Sequence, residues 1–195
     1  MKKILTFALL FFAFSPIAEA QRTISLSSYK VEDLKGGNYY LKDTEGILNP
    51  FVGTWRWQEG NKEFIIKLQK KEKFNWGGLT DYYKDIIMGG YLYKENGVEI
   101  TNTLNFTSSL DMNNTATFQN FSKITGNRVT SGELNLIFYD IAKYNKECRA
   151  KLSLQNSGNS ILIRLYDVET YRFSNRRPPK QKGFSVPNNV ILNKQ

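Results

Sequence analysis

The chain has 195 residues, of which 41% are hydrophobic and 14% aromatic, and 27 Lys and Arg against 18 Asp and Glu give it a net charge of +9. This composition argues against an intrinsically disordered protein, because aromatic side chains supply the burial that offsets the entropy lost on folding. The sequence contains no His and a single Cys, Cys148. These counts exclude Ser-His-Asp and Cys-His catalysis, zinc sites of His or several Cys, and an internal disulfide.

Residues 1–20 have the pattern of a signal peptide. Lys2 and Lys3 precede an apolar run, and Ala18-Glu19-Ala20 matches the small-x-small motif of a cleavage site. A membrane anchor is the alternative, but the run is shorter than the about 20 apolar residues that a spanning helix requires. We therefore expect export to the periplasm or the exterior, with a mature chain that begins at Gln21.

After a polar lead-in at residues 21–48, the chain shows short runs in which apolar and polar residues alternate, a pattern typical of strands. The runs predict strands at 51–58, 62–71, 82–94, 98–106, 116–124, 129–140, 150–155, 161–165 and 186–194, with a short extended piece at 38–42. Gly89-Gly90 predicts a bulge or bend inside its strand, and Gly126-Asn127 a turn. Asn96-Gly97 predicts a type I′ hairpin.

Eight or nine strands joined by short turns predict one all-β domain over residues 49–195, built as a single antiparallel β-barrel. The domain includes a basic connector at 174–185 and a terminal strand at 186–194. Closing the sheet into a barrel removes exposed strand edges, which otherwise promote aggregation. A two-sheet β-sandwich has the same sequence signature and remains the alternative.

The first strand opens with the segment Asn49-Pro50-Phe51-Val52-Gly53-Thr54-Trp55. Its Gly53-x-Trp55 motif resembles the first signature of lipocalins and their calycin relatives. The resemblance implies that Trp55 closes one end of a barrel and that an Arg or Lys from a late strand packs across its ring. Arg164 and Arg172 are the candidates for this cation. A contact of this kind stabilises a fold by about 0.5–2 kcal/mol.

The order of segments also resembles that of a family of small secreted proteins from Bacteroidetes with a domain of unknown function. The matching features are the signal peptide, the Asn-Pro-Phe-Val-Gly-Thr-Trp opening, and the segments 86–99 and 187–192. This resemblance covers nearly the whole mature chain. It implies a periplasmic or extracellular location and brings no activity with it.

Alternation places Trp55 and Trp57 on one face of the first strand, and Tyr91 and Tyr93 on one face of a later strand. If Trp55 faces inward, as the calycin resemblance implies, Trp57 lies further along the interior wall. An eight-stranded barrel can be filled by side chains or can hold one small ligand. The leading hypothesis is therefore a monomeric, secreted, lipocalin-like protein without metal or cofactor, which binds a small apolar ligand at Trp57, Tyr91 and Tyr93.

A second hypothesis is a structural or surface-interaction protein of the cell envelope. Residues 174–195 contain five cations and no acid, and clustered positive charge attracts anionic surfaces. The residues expected to contact such a surface are Arg176, Arg177, Lys180 and Lys182. Because no aromatic residue is interleaved with them, base stacking and a nucleic-acid partner are not expected.

A third hypothesis is a hydrolase that works with two carboxylates. Such an enzyme requires two acids facing one cleft, about 5–10 Å apart. The candidates are Asp81, Asp85, Glu99 and Glu133, which lie beside turns or on polar strand faces. Solvated surface charge explains these positions equally well, so the sequence identifies no catalytic residue.

Overall fold

A computed structural model describes residues 20–76, 81–110, 113–168 and 182–195. The signal peptide predicted at 1–20 lies outside these ranges except for Ala20. Most of the basic connector also lies outside them, including Arg176, Arg177 and Lys180, and so does Arg172. Among the described residues, no helix is both long and apolar enough to cross a membrane.

The described ranges contain eleven strands and one short α-helix. The strands are β1 (Arg22–Ser25), β2 (Tyr39–Lys42), β3 (Gly53–Glu59), β4 (Lys62–Phe74), β5 (Tyr83–Glu95), β6 (Val98–Asn102), β7 (Ile124–Thr130), β8 (Glu133–Asp140), β9 (Lys146–Gln155), β10 (Ser160–Asp167) and β11 (Val190–Lys194). Helix α1 spans Thr115–Gln119. Single 3-10 turns lie at Val31–Leu34, Asn49–Phe51, Ile141–Lys143 and Asn156–Gly158.

Eight of these strands close a barrel. Strands β3, β4 and β5 pair in succession, as do β7 to β11, and the circle is completed by the pairs β5–β7 and β11–β3. Every one of these pairings is antiparallel. The strands follow one another around the wall in chain order, which is an up-and-down topology. The closed wall confirms the predicted barrel and excludes the two-sheet sandwich.

Strand β5 organises the three strands outside the barrel. One of its edges pairs with β4, and its other edge pairs in turn with β2 at Tyr83–Lys84, β7 at Ile87–Gly89 and β6 at Leu92–Glu95. Strand β1 adds to β2 in parallel. The segment predicted as a polar lead-in is therefore part of the sheet, and it contributes Tyr39, Leu41 and Leu48 to the buried core.

The main core lies inside the barrel and follows from alternation along each strand. In β8, Leu134, Leu136 and Phe138 are buried whereas the residues between them are only half-buried. The equivalent residues of β9 and β10 include Ala150, Leu152 and Ile163. Because successive side chains of a strand point to opposite faces, one set fills the interior and the other forms the outer wall.

Residues 103–123 form an excursion that leaves the barrel after β6 and returns at β7. The strand predicted at 116–124 is wrong, since this segment holds helix α1. The side-chain Oδ1 of Asn114 accepts the Ala116 amide at 3.0 Å, and the Asn114 carbonyl accepts the Thr117 amide at 3.1 Å. Asn bonds of this type favour the start of a helix over a strand.

The prediction for Gly89-Gly90 needs correction as well. The ladder between β4 and β5 is continuous through Gly89-Gly90, so of the predicted bulge or bend the bulge in this ladder is wrong. The glycines instead permit close backbone approach: a Cβ on Gly89 would lie 2.6 Å from the Lys67 carbonyl oxygen, and one on Gly90 would lie 1.9 Å from that of Thr103. The hairpin at Asn96-Gly97 is confirmed, with φ of 54° and 76° as a type I′ turn requires.

The glycine predicted to follow a strand, Gly126, lies inside β7, where the pairing with β8 shifts register between Thr125 and Arg128. The chain turns later, at Ser131-Gly132, where φ is 52° and 75°. The run predicted as one strand at 129–140 is therefore divided between β7 and β8. A β-bulge between Thr125 and Arg128 explains why the predicted turn at Gly126-Asn127 is wrong, because a bulge offsets one strand against its partner without ending the pairing.

Candidate functional site

Trp55 of β3 packs beside Gly53 and Lys194. Trp55 is fully buried, and its indole Nε1 donates to the Phe51 carbonyl at 3.0 Å. The Lys194 ammonium lies 5.1 Å from the Trp55 ring centroid. Gly53 has a φ of +139°, and a Cβ there would lie 3.1 Å from Lys194 Cε. Glycine thus leaves room for the lysine stem, and the contact is the cation–aromatic pair expected for this motif.

The cation over Trp55 comes from the last strand and is not Arg164. Arg164 is exposed, and its Nε donates to Asn189 Oδ1 at 3.2 Å. It lies between the buried Ile163 and Leu165 on β10, so alternation directs it outward. The other candidate, Arg172, lies outside the described residues.

The three residues expected to contact an interior ligand do share the inner face of neighbouring strands. Phe64 of β4 pairs with Trp57 on one side and Tyr93 on the other. The Phe64 ring packs edge-on against Tyr91 and Tyr93, with centroids 6.2 and 6.5 Å apart. Trp57 is half-buried against this core. These rings therefore pack mainly on one another.

The hydroxyl of Tyr91 is also fully engaged within the protein. It accepts the Ile141 amide at 2.9 Å and donates to the Tyr139 carbonyl at 3.2 Å. Burial raises the pKa of Tyr91 well above its ordinary value. Tyr93 is buried as well, and its hydroxyl donates to Glu95 at 3.3 Å. Neither tyrosine presents a free polar group toward the barrel axis.

The four candidate carboxylates lie in different surroundings. Asp85 is 1% exposed and accepts the Tyr40 hydroxyl at 2.6 Å and the backbone amides of Asp43 and Lys73, both at 2.9 Å. It thereby joins β2 and β4 to β5. Asp81 is exposed.

Glu133 is held by Ser153 Oγ at 2.7 Å and Lys151 Nζ at 3.0 Å, and these hydrogen bonds lower its pKa. Glu99 is exposed and lines a cleft that does not include the other three. The structure therefore does not bring two of the candidates into one cleft.

A large concave site lies outside the barrel, between the excursion and the wall. This lateral cleft has a volume of about 1000 Å³. Its apolar side is formed by Trp76, Phe106, Leu110 and Phe121. These residues belong to a second hydrophobic cluster, which packs on the outward-facing Ile86 and Met88 of β5.

The polar side of the lateral cleft consists mostly of amides and hydroxyls. Its amide residues are Asn102, Asn105, Gln119, Asn120 and Asn145. One cation, Lys123, is half-buried in the cleft, and its Nζ donates to the Gln119 carbonyl at 2.8 Å. Burial lowers the pKa of Lys123. No carboxylate among the described residues lies within ion-pair distance of it.

Both ends of the excursion are fixed to β5. At the first end, the Thr103 amide donates to the Tyr91 carbonyl at 2.8 Å, and Thr103 Oγ1 accepts the Tyr91 amide at 2.8 Å. At the second end, Ser122 Oγ accepts the Gly89 amide at 2.8 Å. These bonds fix both ends of the excursion to β5 beside the lateral cleft.

The sequence matches, over residues 1–195, the model of a family of unknown function, DUF6705. The chain belongs to this family. The match confirms the expected domain of unknown function. No curated protein and no solved structure shows significant similarity to the chain.

Sequence reasoning missed the lateral cleft in this DUF6705 member because it assigned part of the excursion to a strand. A usable signal was present: an Asn-Phe pair occurs at 105–106 and again at 120–121. Each pair contributes an amide and an aromatic ring to the same cleft. The two pairs lie next to the two fixed ends of the excursion, which brings them together.

Proposed function

We propose that this DUF6705 member is an exported binding protein that holds a small ligand in the lateral cleft. The ligand would be apolar in its body and would carry hydroxyl, carbonyl or amide groups at its edge. The observation that supports this proposal is the lateral cleft itself, in which four apolar residues and five amide side chains line a volume of about 1000 Å³. Export is supported by the signal-peptide pattern of residues 1–20.

The volume and composition of the cleft favour a small molecule. Binding sites for small ligands occupy about 300–1000 Å³ and combine an apolar lining with a few placed polar groups. The rings of Trp76, Phe106 and Phe121 supply the apolar surface. The amides can both donate and accept hydrogen bonds, so they fit a neutral polar group of either kind.

An interior site at Trp57, Tyr91 and Tyr93 has less support than the lateral cleft. Tyr91 and Tyr93 are buried by other side chains, and both hydroxyls have partners within the protein. A ligand at these residues would have to displace Phe64, which is fully buried between the tyrosines. Displacing a large core side chain costs several kcal/mol, roughly 3–5 for a Phe.

The two locations can be separated with one uncharged probe, N-phenyl-1-naphthylamine, followed by fluorescence titration and native mass spectrometry. Asn105→Trp places a large ring in the lateral cleft and is expected to weaken probe binding about tenfold, a loss of about 1.4 kcal/mol. Trp57→Leu alters the interior and is the matched control, expected to change the affinity less than about twofold.

The reverse pattern, in which only Trp57→Leu weakens the probe, would move the ligand to the barrel interior and overturn the proposal. Failure of the unaltered protein to bind the probe saturably, with one molecule per chain, would contradict it as well. Circular dichroism of both variants ensures that a lost affinity does not come from a lost fold.

A further inference from the structure

A second concave site lies on the outer wall of the barrel beside the lateral cleft, and Trp76 and Thr125 line both. This basic groove has a volume of about 600 Å³ and receives side chains from β5, β7, β8, β9 and β10. The ones that determine its charge and shape are Lys84, Arg128, Glu133, Arg149, Lys151 and Tyr166.

The groove has an excess of positive charge. Its lining contains four cations and one carboxylate, Glu133, so its net charge is 4 − 1 = +3. Glu133 is already engaged by Lys151 and Ser153. Among the described residues, Lys84, Arg128 and Arg149 form no ion pair with a carboxylate. Three cations are thus available to an anionic ligand.

Strand register explains how the cations come to share one face. Arg128 of β7 lies opposite Asn135 of β8, which in turn lies opposite Lys151 of β9. Neighbouring strands are about 4.8 Å apart, so Arg128 and Lys151 project from backbone positions about 10 Å apart. Arg149 precedes Lys151 by two residues on the same face, at a backbone spacing of about 7 Å.

The cations are therefore spread along the groove wall at backbone positions about 7–10 Å apart. A ligand that carries negative groups repeated along a chain can contact several of them at once, and such a ligand gains affinity with each added contact. At Trp76 the Lys84 ammonium lies 5.9 Å from the ring, and Tyr166, which is 44% exposed, is the other aromatic ring of the groove. One exposed ring does not provide the series of aromatic side chains on which successive bases stack. Nucleic acids depend on stacking as well as charge, so the groove favours a polyanion without bases.

Lys84 gives a further reason for an anionic occupant. Burial lowers the pKa of this lysine, since its ammonium is removed from water without a carboxylate partner in the described residues. A negative group beside it would favour the charged form. Lys84 thus contributes a cation that is partly shielded from solvent and from salt.

We propose that the basic groove binds an acidic polysaccharide, with carboxylate or sulfate groups on successive sugar units. The site is independent of the proposed ligand in the lateral cleft and of the basic connector at 174–185. It uses residues of the barrel wall, whose positions are fixed by strand pairing.

The experiment measures binding of alginate, which carries carboxylates, and of heparin, which carries sulfates as well, by calorimetry at several salt concentrations. The variant is Arg128→Gln with Arg149→Gln, two exposed positions whose replacement leaves the core intact. We expect it to weaken binding of at least one polysaccharide about tenfold and to reduce the salt dependence by about two charges. Whichever polysaccharide responds identifies the anionic group.

The matched control is Lys35→Gln with Lys67→Gln, which removes the same charge from two residues that do not line the groove. It should change the affinity less than about twofold. Equal weakening by the two double variants would show attraction to net charge alone and overturn the proposal. Single-stranded DNA that binds as tightly as the polysaccharides, or no binding by the unaltered protein, would also overturn it. The groove variant should bind N-phenyl-1-naphthylamine with unchanged affinity. Its loss of polysaccharide binding would then not come from a change in the lateral cleft.

Discussion

The barrel interior and the outer hydrophobic cluster are both apolar, but they differ in how completely they are enclosed. Inside the barrel, Phe64, Ile66 and Phe138 are at most 1% exposed. In the outer cluster, Phe121 is 9% exposed and Phe106 is half-buried beside the lateral cleft. The interior has the close packing of a stabilising core, whereas the outer cluster leaves aromatic surface accessible, as binding sites do.

The largest expected effect comes from truncating one phenylalanine in each region. Phe64→Ala should lower the free energy of unfolding by about 3–5 kcal/mol, because it opens a cavity in a filled interior. Phe106→Ala should lower it by only about 1 kcal/mol, because less of its surface is withdrawn from water. Urea denaturation followed by circular dichroism measures both values. Similar losses in the two variants would contradict the difference in enclosure.

An intermediate effect is expected at the backbone contact that joins the two regions. In Gly90→Ala the new Cβ would meet the Thr103 carbonyl, which begins the excursion. We expect a loss of about 1–3 kcal/mol from this overpacking and weaker binding of N-phenyl-1-naphthylamine, since the lateral cleft depends on that end of the excursion.

Gly60→Ala is the control for this substitution. It places a Cβ at a φ of +56° with nothing within 4 Å, so it strains the backbone by about 1–2 kcal/mol without touching the cleft. Probe binding that falls equally in both glycine variants would mean that general destabilisation, not the excursion, controls the cleft.

The effect expected to be smallest at neutral pH concerns a titratable group of the interior, Cys148. Burial raises the pKa of this thiol from 9.0 to about 11. The folded chain therefore retains a proton that the unfolded chain loses first, and the free energy of unfolding should fall as pH rises from about 9 to about 11. Cys148→Ala should show a smaller fall over that range in parallel denaturation experiments. An identical pH dependence in both proteins would show that the thiol is not enclosed by the core.

Much of the barrel could be predicted from alternation, because a half-buried strand repeats its environment every two residues. β8, with Leu134 and Phe138 inward, is an example. Alternation also contained the information that Arg164 faces outward, since both of its neighbours are apolar. Helix α1 was not predictable in this way, because its start depends on bonds to Asn114 and its residues are mostly exposed.

The repeated Asn-Phe pair at 105–106 and 120–121 marks two segments of the lateral cleft. The full lining of that cleft and of the basic groove could not be predicted, because each combines side chains from distant parts of the sequence. Trp76, Phe106 and Tyr139 line the lateral cleft together because one edge of β5 pairs with β7 and then, further along, with β6. Arg128 and Lys151 meet in the groove because a bulge in β7 sets the register. No local pattern encodes pairings of that separation.

The pairing of β11 with β3 has a consequence for the order in which the barrel can fold. Trp55 lies opposite Lys194, so the wall is completed by the final residues of the chain. Contacts between positions so far apart in sequence form slowly, since a long loop must close before the contact can stabilise the fold. Until then β3 and β10 each present a bare edge capable of joining another molecule. A polypeptide that lacks β11 would accordingly associate more readily than one with the closed barrel.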